Sequence, residues 1–304
     1  MKNLKIWVKA VRAPFFTASM APVILGAAVA WNRFYIFNLF LFLLTLLGAV
    51  LIHGGINLSN DYFDFKSGAD QKNLHPTPFS GGSRVIQEGL LSSESIFKAS
   101  VTLIFLGGLI GIYLNYACGS NVILYIGLTG VFLGFFYTAA PLRLGYHGLG
   151  EAAVAIGFGP LIVLGSFFVQ VRAISFAALF SSIPVAILIG LVLFINEFPD
   201  YDPDKRSHKR NLVVILGKEK AKYVYIVCLL LCYLIVVIGV GFKIIPFTTL
   251  IIFLTFPLAI KAILILLKQY DKIYELVPVN LATVRLHMVI TTFLAIGFLF
   301  GKRH

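Results

Sequence analysis

The chain has 304 residues, 59% of them hydrophobic and only 12% charged, with a formal net charge of +12 and a mean hydropathy of +0.92. That balance excludes an ordinary soluble domain and indicates an integral membrane protein. A porin-like barrel is excluded too, because the apolar runs are continuous and rich in Leu, Ile, Phe and Gly instead of short and alternating.

The opening MKNLKIWVKAVR sets Lys2, Lys5, Lys9 and Arg12 around Ile6, Trp7 and Val8, so residues 1–12 are expected to lie along a membrane interface. Nine apolar runs follow: 13–31, 36–58, 95–116, 121–140, 149–169, 174–196, 221–242, 246–267 and 282–300. Each has about 20 residues, enough to cross roughly 30 Å of hydrocarbon as a helix. The first has no small-residue cleavage site and is not read as a signal peptide. The expected fold is therefore all-α, a bundle of about nine transmembrane helices with a cytoplasm-facing polar cavity. The amino terminus and the connections 2–3, 4–5, 6–7 and 8–9 carry seventeen Lys and Arg, against five on the other side (Arg33, Arg172, Lys243, Lys302, Arg303). The amino terminus is thus expected in the cytoplasm of a multi-pass cell-membrane protein. The positive charge reads as an orientation signal and an attraction to headgroups or phosphates, with no nucleic acid expected as partner. Cys118, Cys228 and Cys232 fall within or beside apolar spans, without the company a disulfide or zinc site requires.

Of the 13 acidic residues, six of the seven aspartates occupy two places: Asp61, Asp64 and Asp70 in NLSNDYFDFKSGAD (57–70), and Asp200, Asp202 and Asp204 in NEFPDYDPDKRSHKRN (196–211). Both follow an even-numbered span and so share the expected cytoplasmic face. Asn57 precedes Asp61 by four residues, as Asn196 precedes Asp200. At helical spacing Asn57, Asp61 and Asp64 form one polar stripe, and Asn196, Asp200 and Asp204 another, although Pro199 and Pro203 weaken that geometry in the second half. The sixth helix is expected to end near Phe198 and to present its aspartates from a turn.

Clustered carboxylates at a membrane edge repel one another and lose hydration, a cost that hard divalent cations offset. Mg²⁺ takes one or two carboxylates together with phosphate oxygens and water, so two facing aspartate stripes suit a metal-bound diphosphate. The neighbouring cations Lys66, Lys205, Arg206, Lys209 and Arg210 accord with phosphate binding. The plainer alternative is a pair of solvated charged loops.

These residues resemble the signatures of the UbiA superfamily of intramembrane prenyltransferases, N-D-x-x-D after the second helix and D-x-x-x-D after the sixth. Here they stand as Asn60-Asp61-Tyr62-Phe63-Asp64 and Asp200-Tyr201-Asp202-Pro203-Asp204. The resemblance covers almost the whole chain, 1–304 as one domain, with 59–94 and 197–220 as cytoplasmic active-site loops. The family's third aspartate often falls where Gly68 stands, whereas here Asp70 comes six residues after Asp64. That longer form, with the upstream Asn57, is similar to the branch that prenylates 1,4-dihydroxy-2-naphthoate in menaquinone synthesis. PFSGGSRVIQEGLLS (78–92) and YTAAPLRLGYHGLGE (137–151) look like loops of the same branch.

The resemblance implies transfer of an isoprenoid chain from a prenyl diphosphate donor to an aromatic acceptor, with Mg²⁺ held by Asp61, Asp64, Asp200 and Asp204 and with Asn57 assisting. It implies substrate contacts from Asn57, Asn60, Lys66, Tyr137, Arg143, Tyr146, Asn196, Lys205 and Lys209. The segment HPTPFSGGSRVIQEG (75–89) offers Ser80, Gly81, Gly82, Ser83 and Arg84 as a polar cover over the phosphate, or else is an ordinary Gly-Ser turn. Tyr137 and Tyr146 suit either cation stabilisation or interfacial anchoring. Glu151 and Glu197 read as bases or as partners of Arg143 or a lysine, and His53 as a hydrogen-bonded helix residue or part of the acceptor site. Other acceptors within the same chemistry are 4-hydroxybenzoate, haem, chlorophyllide and a glycerol-phosphate lipid. The alternative from another class is a divalent-cation transporter, which would place its ligands nearer the bilayer midplane.

Overall fold

A computed structural model describes the chain at residues 2–68 and 77–302. Asp70, the first two residues of the segment 75–89, and Arg303, all named above, lie outside the described residues. The helix α1 (Lys2–Ala10) leads through Arg12, in the left-handed conformation at φ 55°, and a 3₁₀ turn at Ala13–Phe16 into α2 (Thr17–Phe34). Then come α3 (Leu39–Ser67), α4 (Ser93–Cys118), α5 (Val122–Phe135), α6 (Gly150–Ile156), α7 (Ile162–Val171) and α8 (Phe176–Asn196). The chain closes with α9 (Tyr201–Arg206), α10 (Leu212–Leu216), α11 (Lys218–Gly241), α12 (Phe256–Gln269) and α13 (Val277–Phe300).

Among the described residues, 8 segments are long and apolar enough to cross a membrane, and the shorter apolar α5 makes a ninth. The run expected at 121–140 shortens to the 14 residues of α5 because the chain turns before Pro141, which has no N–H to continue a helix. The second span differs in the opposite sense. It runs nine residues past 58, since NDYFDFKS contains neither Gly nor Pro, and stops where Gly68, at φ 74°, caps the carbonyls of Asp64 and Phe65. Asn60, Asp61, Asp64 and Lys66 therefore stand on a helix, correcting the loop expected from residue 59. In the second half α8 ends at Asn196, ahead of Pro199, which has no N–H to continue a helix, and Asp200 lies in the following turn, while Asp204 belongs to the short α9.

Small residues set the closest helix contacts. A methyl group on Gly55 of α3 would lie 2.7 Å from the Ile104 side chain of α4, and there the Ser100 hydroxyl donates to the Gly55 carbonyl at 2.7 Å. At Gly26 of α2 it would lie 2.4 Å from the Val163 carbonyl of α7, and the Ser166 hydroxyl donates to the Val23 carbonyl at 2.6 Å. In lipid, where apolar burial between helices gains little, such close approach and interhelical hydrogen bonding hold a bundle together. The largest buried apolar cluster joins α2, α7, α8, α11, α12 and α13. Between α6 and α7, Gly157–Leu161 forms a π turn around Pro160, whose missing N–H interrupts the α ladder.

Candidate active site

A cavity of about 420 Å³ opens among α2, α3, α4, α5, α6, α7 and α8. At one end it is polar, with Arg12, Asn57, Asn60, Asp64, Asp200, Asp204 and Lys209 in its wall; at the other it reaches Thr45, Leu114, Ile123 and Val169. From Asp64 to Thr45 the α3 wall is about 28 Å long at 1.5 Å per residue. A charged mouth on a long apolar passage fits an amphiphile with an anionic head.

At 3.6 residues per turn, relative to Asn57, Asp64 lies about 20° and Asn60 about 60° to one side of α3, and Asp61 about 40° to the other. The cavity is on the first side. Asp64 faces it and accepts the Tyr146 hydroxyl at 3.1 Å, while Asn60 accepts the Thr138 hydroxyl at 2.9 Å. Asp61 turns away: its buried carboxylate accepts the guanidinium of Arg12 and the hydroxyl of Ser83. Asn57 donates its amide to the Val11 carbonyl at 3.0 Å, fastening the amino-terminal segment beside the same stripe.

From the opposite wall, Asp200 is held by the Ser80 hydroxyl and the Gly81 N–H. Asp204 accepts the Asn211 amide at 2.7 Å and has the Lys209 ammonium at 3.7 Å. Burial and the neighbouring Asp204 push the Asp200 carboxyl up to about 7. Burial likewise raises Asp204 to about 6 against the opposing pull of Lys209. For Lys209, burial favours the neutral amine, but the carboxylates of Asp204 and Asp64 outweigh it and hold the ammonium well above its usual range. The site thus holds acids whose ionisation is costly until more positive charge arrives. Among the described residues no three His, Cys, Asp or Glu side chains enclose an ion by themselves. An ion that completes its shell with water and phosphate oxygens, as Mg²⁺ does, suits such a donor set.

Of the residues expected to hold metal or substrate, the structure brings nine to the cavity wall: Asn57, Asn60, Asp64, Ser80, Tyr137, Asn196, Asp200, Asp204 and Lys209. It does not bring Asp61, Lys66, Arg84, Arg143, Tyr146 or Lys205 there. Lys66, Arg143 and Lys205 are exposed, lying over the rings of Tyr62, Tyr146 and Tyr201 at 5.7, 5.6 and 5.8 Å. Tyr146 instead acts on Asp64 from behind, and Tyr137 is packed against Gly145 and Gly150 so that its ring borders the cavity. Glu151 makes no ion pair with Arg143; its Oε1 accepts the Leu212 N–H at 2.8 Å. His53 borders the cavity with its Nδ1 at 3.1 Å from the Ser19 hydroxyl. Ser83, expected over the phosphate, instead donates to Asp61. Sequence reading missed Arg12, Asn211 and Asn280, the last of which donates to Asn196 Oδ1 at 2.7 Å. Arg12 was counted only as orienting charge; a lone Arg followed by the Pro14 turn at the edge of the first span was its one signal.

Residues 19–295 match the UbiA prenyltransferase family. The chain is 29% identical over 295 residues to a 2-carboxy-1,4-naphthoquinone phytyltransferase from Synechocystis sp., covering 97% of this chain and 93% of that protein. It is 33% identical over 206 residues to a 1,4-dihydroxy-2-naphthoate octaprenyltransferase from Bacillus subtilis, covering 67% and 64%. Among solved structures it shares its fold with a UbiA homolog from Archaeoglobus fulgidus bound to GPP and Mg²⁺, with TM-score 0.66, 15% identity and coverage of 96% and 98%.

Proposed function

Since the chain belongs to the UbiA prenyltransferase family, we propose that it transfers an isoprenoid chain from a prenyl diphosphate to 1,4-dihydroxy-2-naphthoate, the step that builds a menaquinone precursor. The observation that carries this reading is the meeting of Asp64, Asp200, Asp204 and Lys209 at the polar mouth of one long apolar cavity. The acceptor assignment draws on the naphthoate and naphthoquinone prenyltransferases among the relatives. The amino terminus and the cavity mouth are assigned to the cytoplasmic side from the distribution of Lys and Arg.

In this reading Asp64, Asp200 and Asp204 hold Mg²⁺ jointly with the donor's diphosphate. Asp61, engaged by Arg12 and Ser83, serves to aim Arg12 into the cavity. Bound Mg²⁺ supplies Lewis-acid stabilisation of the departing diphosphate. Lys209 and Arg12 add fixed positive charge where that anion develops. The isoprenoid tail lies along α3 toward Thr45, and the apolar walls keep water from the allylic carbon. The ring of Tyr137 offers its electron-rich face to the allylic cation before the acceptor ring attacks it.

The test is purified protein in lipid, given labelled prenyl diphosphate, Mg²⁺ and a panel of acceptors including 4-hydroxybenzoate. Prenylated naphthoate product is the expected result. A product formed only with another acceptor would overturn the acceptor assignment, and the absence of any product and of diphosphate release would overturn the reaction.

A further inference from the structure

Two carboxylic acids stand beside this cavity without the partners that buried acids require. Glu197, the residue after α8, is 4% exposed and borders the cavity. Neither of its oxygens has a hydrogen-bond donor among the described residues. Glu151, in the first turn of α6, is 6% exposed; its Oε1 is satisfied by the Leu212 N–H and its Oε2 is not. The two side chains are within hydrogen-bonding reach of each other. Two acceptor-only carboxylates this close and this buried cannot both ionise, so the contact is a bond only when a proton lies in it.

We infer that Glu151 and Glu197 share a single proton, and that Glu197 is the proton carrier of the transfer, taking the hydroxyl proton of the aromatic acceptor and later returning it. This deepens, and rests on, the acceptor reading above. Burial, with Glu151 beside it, holds the Glu197 carboxyl well above the usual carboxylate range. The other charged or titratable groups facing the pair are Tyr137, Lys209 and Asp204. Glu151 lies behind Glu197, outside the cavity lining, and is a positioning residue: its amide-anchored carboxyl accommodates the extra proton.

The balance closes for a hydroxylated arene carboxylate. The bond from the allylic carbon to diphosphate breaks and its electron pair leaves with diphosphate. The ring carbon bearing the carboxylate forms the new carbon–carbon bond as the adjacent O–H pair becomes a carbonyl, and that proton passes to the glutamate pair. The bond to the carboxylate then breaks, releasing CO₂ and returning an electron pair to the ring oxygen. That oxygen recovers the proton from Glu197. No oxidant, reductant or net proton is required.

The test compares wild type with Glu197→Gln, Glu197→Asp and Glu151→Gln in lipid. Infrared difference spectroscopy, with no substrate present, is expected to show a protonated buried carboxyl that is lost in Glu197→Gln. Glu197→Gln is expected to bind a non-cleavable prenyl diphosphate analogue with Mg²⁺ as wild type does. Its kcat for acceptor prenylation should fall about a hundredfold or more, the scale of general acid–base catalysis, and Glu197→Asp should recover part of it. Glu151→Gln should shift the pH profile of kcat. Wild-type turnover by Glu197→Gln, absence of the protonated carboxyl, or loss of donor binding along with turnover would each overturn the inference. A wild type that prenylates a different hydroxylated arene, still requiring Glu197, would overturn only the naphthoate assignment; one that prenylates no arene would overturn both.

Discussion

Exchanging Asp61 for Asn decides whether that residue holds metal or holds Arg12. In the structure its carboxylate accepts from Arg12 and from both the N–H and the hydroxyl of Ser83. It is 3% exposed, so little water is available to replace those bonds. A hydrogen bond to a charged partner contributes about 1.5–3 kcal/mol, and at about 1.4 kcal/mol per factor of ten that is roughly 10- to 150-fold in an equilibrium. Asp61→Asn should therefore raise KM for the prenyl diphosphate by a factor in that range, because Arg12 is no longer held toward the diphosphate. Arg12→Gln should do the same, and the double variant should be little worse than either alone, since both changes break one unit. The half-saturating Mg²⁺ concentration should move little in these variants but rise strongly in Asp64→Asn. The assay is initial-rate kinetics with donor and Mg²⁺ each titrated, in a double-mutant cycle. Additive effects, together with a Mg²⁺ requirement raised as far by Asp61→Asn as by Asp64→Asn, would refute the assignment and return Asp61 to the metal.

Three further outcomes follow from the same geometry. The carboxyls of Asp200 and Asp204 titrate at about 7 and about 6 in the folded protein, above the ordinary carboxylate range of about 4. Without divalent metal, their contribution to stability is present below that range and is lost as pH rises through 6 and 7. The Tm of chelator-treated protein should thus fall from pH 5 to pH 8, and Mg²⁺ should restore it most at the higher pH; a Tm independent of pH in chelator would count against this. Gly127 borders the cavity and a methyl group there meets nothing within 4 Å. Gly127→Leu should accordingly fold but discriminate against long prenyl donors while sparing short ones, read as the ratio of kcat/KM across a chain-length series. Gly26→Ala forces a methyl group to 2.4 Å from the Val163 carbonyl, an overpacking that costs about 1–3 kcal/mol, and should lower Tm in detergent with no change in Mg²⁺ dependence.

The bundle was legible because spans are written in long apolar runs, and the two aspartate groups because acids are so scarce outside them. Which aspartate faces which neighbour was not. Asn57, Asp61 and Asp64 fit one helical stripe, yet a stripe has two edges, and only the position of α5 and α8 on one side and Arg12 on the other separates Asp64 from Asp61. Lys66 and Lys209 were equivalent as cations beside aspartates; burial between Asp204 and Asp64 distinguishes Lys209, and that is a property of packing. Asn280 had no local signal at all, since it reaches Asn196 from a helix 84 residues later in the chain.

The pairing of Arg12 with Asp61 has a consequence for how the chain is made. Both are synthesised well over a hundred residues before Asp200, Asp204 and Lys209. An unpaired carboxylate is costly in a membrane-entering helix, and Asp61 has its counter-ion from the moment it leaves the ribosome. Asp64 has to await Lys209. The early half of the protein can thus settle in the bilayer with one of the two acids of α3 already neutralised, and the site acquires its full charge only when the late half docks.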